Sequence, residues 1–181
     1  MIGRVIELVA KVGEKAPAFL AEAFVDGEFK KVSLDDYKGK WVVLFFYPRD
    51  FTFVCPTEIK GFASFGEEFE KLNTAVVGAS TDSEYSHKAW FEKDMPDVKF
   101  PVLADTSHKI SREYGVLVED AGLSLRGTFI IDPNGILQYM VVANTNIGRS
   151  IQETIRTLEA LQSGALCPVD WKPGEKTLGK A

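Results

Sequence analysis

Cysteine is scarce in these 181 residues: Cys55 and Cys167 are the only two, they lie far apart, and no Asn-x-Ser/Thr acceptor accompanies them. That excludes a small secreted disulfide scaffold. Long apolar runs are missing as well. The longest, residues 41–47, has seven residues against the roughly 20 that a membrane span requires. Arg4, Glu7 and Lys11 interrupt residues 2–12, which leaves no signal-peptide core. The expected setting is therefore cytoplasmic, with no membrane partner. Positive charge is neither in excess nor clustered, since 21 Lys and Arg face 26 Asp and Glu for a net charge of −5. Nucleic acid is excluded as a partner on that ground. No repeat, low-complexity tract or Pro/Ser-rich linker divides the chain. With 45% hydrophobic and 26% charged residues, disorder, collagen and coiled coil are all disfavoured. A chain of this length forms one domain whose core needs no staple.

What is present reads as alternating strands and helices. Residues 19–25 and 28–32 flank Asp26-Gly27, a dipeptide that supplies the positive φ angles of a tight hairpin. Residues 41–47 are apolar throughout, as in a strand covered on both faces, and belong in the middle of the sheet. After a loop over 48–56, Ile59, Phe62, Phe65, Phe69 and Leu72 repeat at helical spacing, which predicts one amphipathic helix. A strand over 75–79 follows, then a helix capped by Asp82 or Ser83 and running to about Lys93. A short helix over 109–114 ends at Gly115. Strands over 128–131 and 136–142 flank the turn Asp132-Pro133-Asn134-Gly135, and Ser150 with Glu153 forms a capping box for a last helix that closes near Gly164. This order predicts an α/β fold of thioredoxin-like type: a central mixed sheet flanked by helices, with an N-terminal hairpin. Residues 1–164 form the domain. Residues 165–181, with Pro168, Pro173 and Gly174 and no periodicity, form a C-terminal arm that must lean on something.

Cys55 lies where the central strand leaves the sheet and a helix begins. Pro56 fits the first helical position, so the sulfur is expected among amide hydrogens that have no intrahelical partner, a setting that favours thiolate. Ionisation alone is not enough. A free thiol is already about 3% ionised at pH 7, so full ionisation raises the reactive fraction only about thirtyfold. A fast enzyme also needs donors aimed at the charge that develops on a leaving oxygen. Thr52, three residues before Cys55, offers a hydroxyl, and Arg49, Arg126 and Arg149 near strand ends are the candidate guanidinium groups.

These residues resemble a known family. Tyr47-Pro48-Arg49-Asp50-Phe51-Thr52-Phe53-Val54-Cys55-Pro56-Thr57-Glu58 is similar to the peroxidatic Pro-x-x-x-Thr-x-x-Cys motif of the peroxiredoxins, and Leu125-Arg126-Gly127-Thr128 to the segment that carries their active-site arginine. Cys167-Pro168-Val169-Asp170-Trp171 resembles the resolving segment of the typical 2-Cys branch, which includes the alkyl hydroperoxide reductase C component. The resemblance implies a thiol-dependent peroxidase that reduces hydrogen peroxide and organic hydroperoxides without metal, haem, flavin or other cofactor. Cys55 would become a sulfenic acid, Thr52 would hold the peroxide, Pro48 would shield the pocket and Arg126 would stabilise the thiolate and polarise the O–O bond. Glu58 and Arg149 match a pair that orients the site from behind. Cys167 would trap the sulfenic acid as a disulfide. The residues leave open whether the arm returns to its own Cys55; the resemblance implies a head-to-tail homodimer with an intersubunit disulfide. Reduction would fall to thioredoxin or a flavoprotein disulfide reductase, because Thr52-x-x-Cys55 replaces the Cys-x-x-Cys of a disulfide oxidoreductase. Assembly of dimers into a decamer is implied too, with Phe51 and Trp90 as interface candidates. The loop over 93–101 lacks the Gly-Gly-Leu-Gly of peroxide-sensitive relatives and the chain ends soon after Cys167, which together predict resistance to overoxidation.

Other assignments fit less well. Cys55, Cys167, His87 and His108 match a zinc ligand count but have none of the close intervals zinc sites use. The Gly174-Glu175-Lys176-Thr177 segment lacks the upstream glycine and strand of a phosphate loop. A Cys/His hydrolase would need His87 as its base, whereas peroxide attack does not. A holdase role, built on clustered hydrophobic faces, is the alternative from another class.

Overall fold

The computed structural model describes residues 9–180. Asp26 and Gly27 have φ of 46° and 86° and close the hairpin of β1 (Leu20–Val25) and β2 (Glu28–Ser33). A 3₁₀ turn, Leu34–Tyr37, leads to β3 (Trp41–Phe46). Next come α1 (Cys55–Ser64), α2 (Gly66–Lys71), β4 (Thr74–Ser80) and α3 (Glu84–Asp94). They are followed by β5 (Val102–Ala104), α4 (Lys109–Glu113), the short pair β6 (Leu117–Val118) and β7 (Leu123–Ser124), β8 (Arg126–Ile131), β9 (Leu137–Ala143) and α5 (Ile151–Gln162).

Seven strands form one sheet in the order β2-β1-β5-β4-β3-β8-β9. β3, β4 and β5 run parallel, and β1, β8 and β9 are antiparallel to their neighbours. The apolar run is interior as expected, with parallel β4 on one side and antiparallel β8 on the other. Its alternate residues face opposite layers. Val42, Leu44 and Phe46 join a core with Val77, Ile110, Tyr114, Phe129 and Ile131. Val43, Phe45 and Tyr47 pack with Ile59, Phe62, Phe69, Phe91 and Leu158, which come from α1, α2, α3 and α5.

Several boundaries differ from the sequence reading. The single amphipathic helix breaks at Phe65, which leaves helical geometry at φ −103° and ψ 18°. The break lets the two halves pivot while Ile59, Phe62 and Phe69 stay in one core. β5 has only three residues after Pro101, too few for a periodic signal, yet it joins the hairpin to the parallel strands through Ala23–Leu103 and Phe24–Val102 pairs. Ser83, not Asp82, caps α3 by accepting from Ser86 N. In α5 only half of the capping box forms: Ser150 accepts from Glu153 N, but the Glu153 carboxylate is engaged by Arg156 at 2.7 Å. Residues 165–180 double back on themselves, with Leu166 N donating to Gly179 O and Leu178 N to Leu166 O, both at 2.8 Å. Trp171 is buried at the base of this loop, and its carbonyl accepts from Arg156 Nη1 of α5 at 3.1 Å.

Candidate active site

β3 delivers the chain to the edge of the core at Tyr47, and the loop over 48–54 turns it into α1. Cys55 is the first residue of that helix, one position earlier than Pro56 suggested, and Val54 stands before it. Pro56 at the second position lacks an N–H that would have no intrahelical partner there anyway. The Cys55 sulfur thus lies at the positive end of a ten-residue helix. It is 1% exposed and packed in the same cluster as Ile59 and Trp90.

Antiparallel pairing of β8 with β3 explains the arginine. Thr128 lies opposite Phe45, so Arg126 extends beyond the end of β3, beside the start of α1. Its Nη1 donates to Cys55 Sγ at 3.5 Å and to Glu58 Oε2. Its Nε and Nη2 both donate to Thr145 O, at 3.0 and 2.6 Å, which aims the fork. Glu58 is three residues after Cys55, on the same face of the first turn. Its Oε1 accepts from Arg149 N at 2.9 Å and Nε at 2.8 Å. Arg149 is tied further to Phe46 O, Gly127 O and Thr128 Oγ1, and its guanidinium lies 5.3 Å from the Phe45 ring centroid. Burial pushes the Arg149 guanidinium below its ordinary value, and its bonds to Glu58 oppose that. One carboxylate therefore bridges two buried guanidinium groups, only one of which faces sulfur.

Thr52 donates its hydroxyl to Arg49 O at 3.0 Å, which leaves the oxygen lone pairs free to accept. Pro48 is buried between Tyr47 and this turn. Arg49, the third candidate guanidinium, points away and donates to Ala121 O at 2.9 Å. Phe51 and Trp90 have ring centroids 5.7 Å apart. Phe51 is 56% exposed, but Trp90 is 2% exposed beneath it, so of the two interface candidates only Phe51 presents a face to a partner.

Cys167 is not brought to Cys55. Both thiols are free, and Cys167 Sγ sits by Ser163 Oγ at 3.6 Å and Ala160 O at 3.9 Å, beyond the end of α5. Arg149, just ahead of α5, touches Glu58. From there to Ala160 the helix rises about 15 Å, so the two thiols lie at opposite ends of α5.

The sequence reading passed over a buried polar cluster behind the loop. Asp50 accepts from Tyr47 OH, Ser86 Oγ and His87 Nδ1, each at 2.8 Å. His87 therefore turns to Asp50 and Leu103 O rather than to Cys55, which removes the hydrolase base. Asp50 carried no signal of its own, because a carboxylate in a Pro-bounded loop reads as a turn residue.

An interior mixed sheet, a helix opening on a buried thiol and a guanidinium aimed at that sulfur define a thioredoxin-fold thiol enzyme. Residues 12–140 match the family model of the AhpC/TSA family, and the chain belongs to that family, the peroxiredoxins. It is similar to "Peroxiredoxin prdx-2" of Caenorhabditis elegans, 52% identical over 178 residues covering 93% of this chain and 89% of that protein. It is also similar to "Thioredoxin peroxidase" of Echinococcus granulosus, 50% identical over 179 residues covering 94% and 93%. The crystal structure of reduced Plasmodium vivax 2-Cys peroxiredoxin superposes with a TM-score of 0.89 at 40% identity, covering 92% of this chain and 91% of that one. The activity is that of a thiol-dependent peroxidase.

Proposed function

We propose that Cys55 is the peroxidatic nucleophile, and the observation that carries this is the Arg126 Nη1 to Cys55 Sγ contact at 3.5 Å. The Cys55 thiolate attacks the terminal oxygen of a hydroperoxide. An S–O bond forms as the O–O bond breaks, the hydroxyl passes to sulfur as sulfenic acid, and the departing alkoxide or hydroxide takes a proton to leave as alcohol or water. Arg126 faces the charge that shifts from sulfur to the leaving oxygen. Thr52 binds the peroxide with its free lone pairs, Pro48 excludes water, and Glu58 with Arg149 fixes the fork of Arg126.

Cys167 then attacks the sulfenic sulfur, forming the disulfide and releasing water. A disulfide needs α-carbons within about 7 Å, and the separation along α5 favours a thiol from a second copy over the chain's own. A homodimer fits this: β9 is an edge strand with Val141 and Val142 exposed at 44% and 37%. In this reading the arm over 165–181 is the unit that reaches across, and exposed Phe51 contributes to a decamer of dimers. An external dithiol, thioredoxin or a flavoprotein disulfide reductase, restores both thiols, and a reducing cytoplasm suits two free cysteines.

The test is single-turnover and steady-state kinetics. Cys55→Ser abolishes peroxide reduction, and Cys167→Ser keeps one rapid turnover but no thioredoxin-dependent cycling. Peroxide-treated protein on a non-reducing gel runs as a disulfide-linked dimer; monomer carrying an internal disulfide would overturn the intersubunit step.

A further inference from the structure

Three side chains buried behind the peroxide loop take no part in the steps above. Asp50, His87 and Tyr47 are shielded from solvent, with Asp50 and His87 side chains 1% and 0% exposed. The Asp50 carboxylate accepts from Tyr47 OH on one oxygen, and from Ser86 Oγ and His87 Nδ1 on the other. Its backbone N donates to Asp82 Oδ2 at 2.9 Å, and that oxygen also accepts from Ser80 Oγ at 2.8 Å. His87 Nε2 in turn meets Leu103 O at 3.3 Å. A single loop residue is thus tied to the end of β3, the turn after β4, the first turn of α3 and, through His87, to β5.

The tie lies at the point where the loop is under load. Phe51, next to Asp50, has φ 54°, a left-handed conformation that a bulky side chain holds only when its surroundings impose it. Thr52 follows directly. The grip on Asp50 is therefore a restraint on the Phe51 conformation and on Thr52.

The two thiol steps make opposite demands on this loop. Reaction with peroxide needs Thr52, Pro48 and Arg126 closed around Cys55. Disulfide formation needs the Cys55 sulfur, 1% exposed, to leave that enclosure and meet Cys167. We propose that Asp50, gripped by His87, Ser86 and Tyr47, is a positioning residue that keeps the loop closed and so sets the partition between peroxide reaction and disulfide formation. This rests on the peroxidase reading of Cys55. Because the closed form predominates, loosening the grip multiplies the small open population while hardly reducing the large closed one. The resolution step accelerates and the peroxide step is nearly preserved.

The experiment uses the full-length chain with Asp50→Asn, whose amide nitrogen would face donors, and Ser86→Ala, which removes one of the three donors and carries the test should Asp50→Asn not fold. Stopped-flow fluorescence follows the loop through Trp90, whose ring centroid lies 5.7 Å from that of Phe51. It separates the phase that depends on peroxide concentration from the disulfide phase that does not, and intact mass reads sulfinic acid at graded hydrogen peroxide. Expected is a disulfide phase about tenfold faster in Asp50→Asn, the size of one charge-assisted hydrogen bond, and a smaller gain in Ser86→Ala. The peroxide phase should fall less than about threefold, and the peroxide needed for half conversion to sulfinic acid should rise by the same factor as the disulfide phase. A disulfide phase that is unchanged or slower in the folded variants, or two phases falling by one common factor, overturns the positioning role. Cys55→Ser run alongside separates the two failures: if it still reacts with peroxide, it is the peroxidase reading that falls.

Discussion

Replacing Arg126 with Met removes the guanidinium and keeps an unbranched side chain. The lost contacts are those to Thr145 O, Glu58 Oε2 and Cys55 Sγ. Glu58 is not stranded, since Arg149 still donates to it from both backbone and side chain. The stability cost is therefore that of buried charge-assisted bonds, about 1.5–3 kcal/mol, below the ~3–5 kcal/mol of an orphaned buried charge. At roughly 2–4 °C per kcal/mol for a chain of this size, Tm falls by about 3–12 °C. The chemical cost is larger. A donor aimed at a developing anion contributes about 10²–10³ in rate, so the second-order reaction of Cys55 with hydrogen peroxide should drop by that factor. Arg126→Lys keeps the charge but loses the two-pronged grip on Thr145 O, and should fall between wild type and Arg126→Met in both rate and stability. Stopped-flow single-turnover kinetics at 25 °C, beside thermal unfolding of the same samples, reads both quantities. A peroxide rate within about threefold of wild type in Arg126→Met, together with a lowered Tm, would refute the catalytic assignment and leave Arg126 a structural residue.

Glu58→Gln removes the carboxylate between two guanidinium groups that are 3% and 8% exposed, and should destabilise the fold by about 3 kcal/mol in urea unfolding. Gly127→Ala places a Cβ 2.7 Å from both Val116 Cγ1 and Phe129 Cε2, so overpacking should cost about 1–3 kcal/mol and slow the peroxide reaction by displacing neighbouring Arg126. Burial holds the Tyr37 phenol up at about 12, and pushes Tyr47 and Tyr114 above their ordinary value of 10.0. The folded state binds these protons more tightly, so their stabilisation is whole below pH 10.0 and for Tyr37 is lost as pH rises to about 12. Urea midpoints that do not fall across that interval would contradict it. Arg156→Ala unhooks the Trp171 carbonyl from α5, and limited proteolysis should then cut within residues 165–180 faster than in wild type, with the core unaffected.

Much of the molecule was legible along the chain because its causes are local. The all-apolar run over 41–47 can only be an interior strand, Asp26-Gly27 can readily take the two positive φ angles its turn requires, and Cys55-Pro56 at a strand-to-helix junction marks a thiol at a helix start. Where causes are tertiary the sequence was silent. β5 is too short to have a period and exists because β1 and β4 supply its partners. The helix breaks at Phe65 while Ile59, Phe62 and Phe69 stay in one core, which a continuous helical period along the chain does not reveal. By position near strand ends three arginines were equal candidates for the sulfur and only the family resemblance singled out Arg126; the antiparallel register of β8 on β3 is the physical reason it lies there, with Arg149 at the back of Glu58 and Arg49 on Ala121 O. Trp90 went inside, Phe51 stayed out, and Asp50 met a histidine 37 positions away. Residue chemistry and short-range geometry are written in neighbours along the chain, but which charge faces which sulfur depends on strands that pair only after the chain has folded.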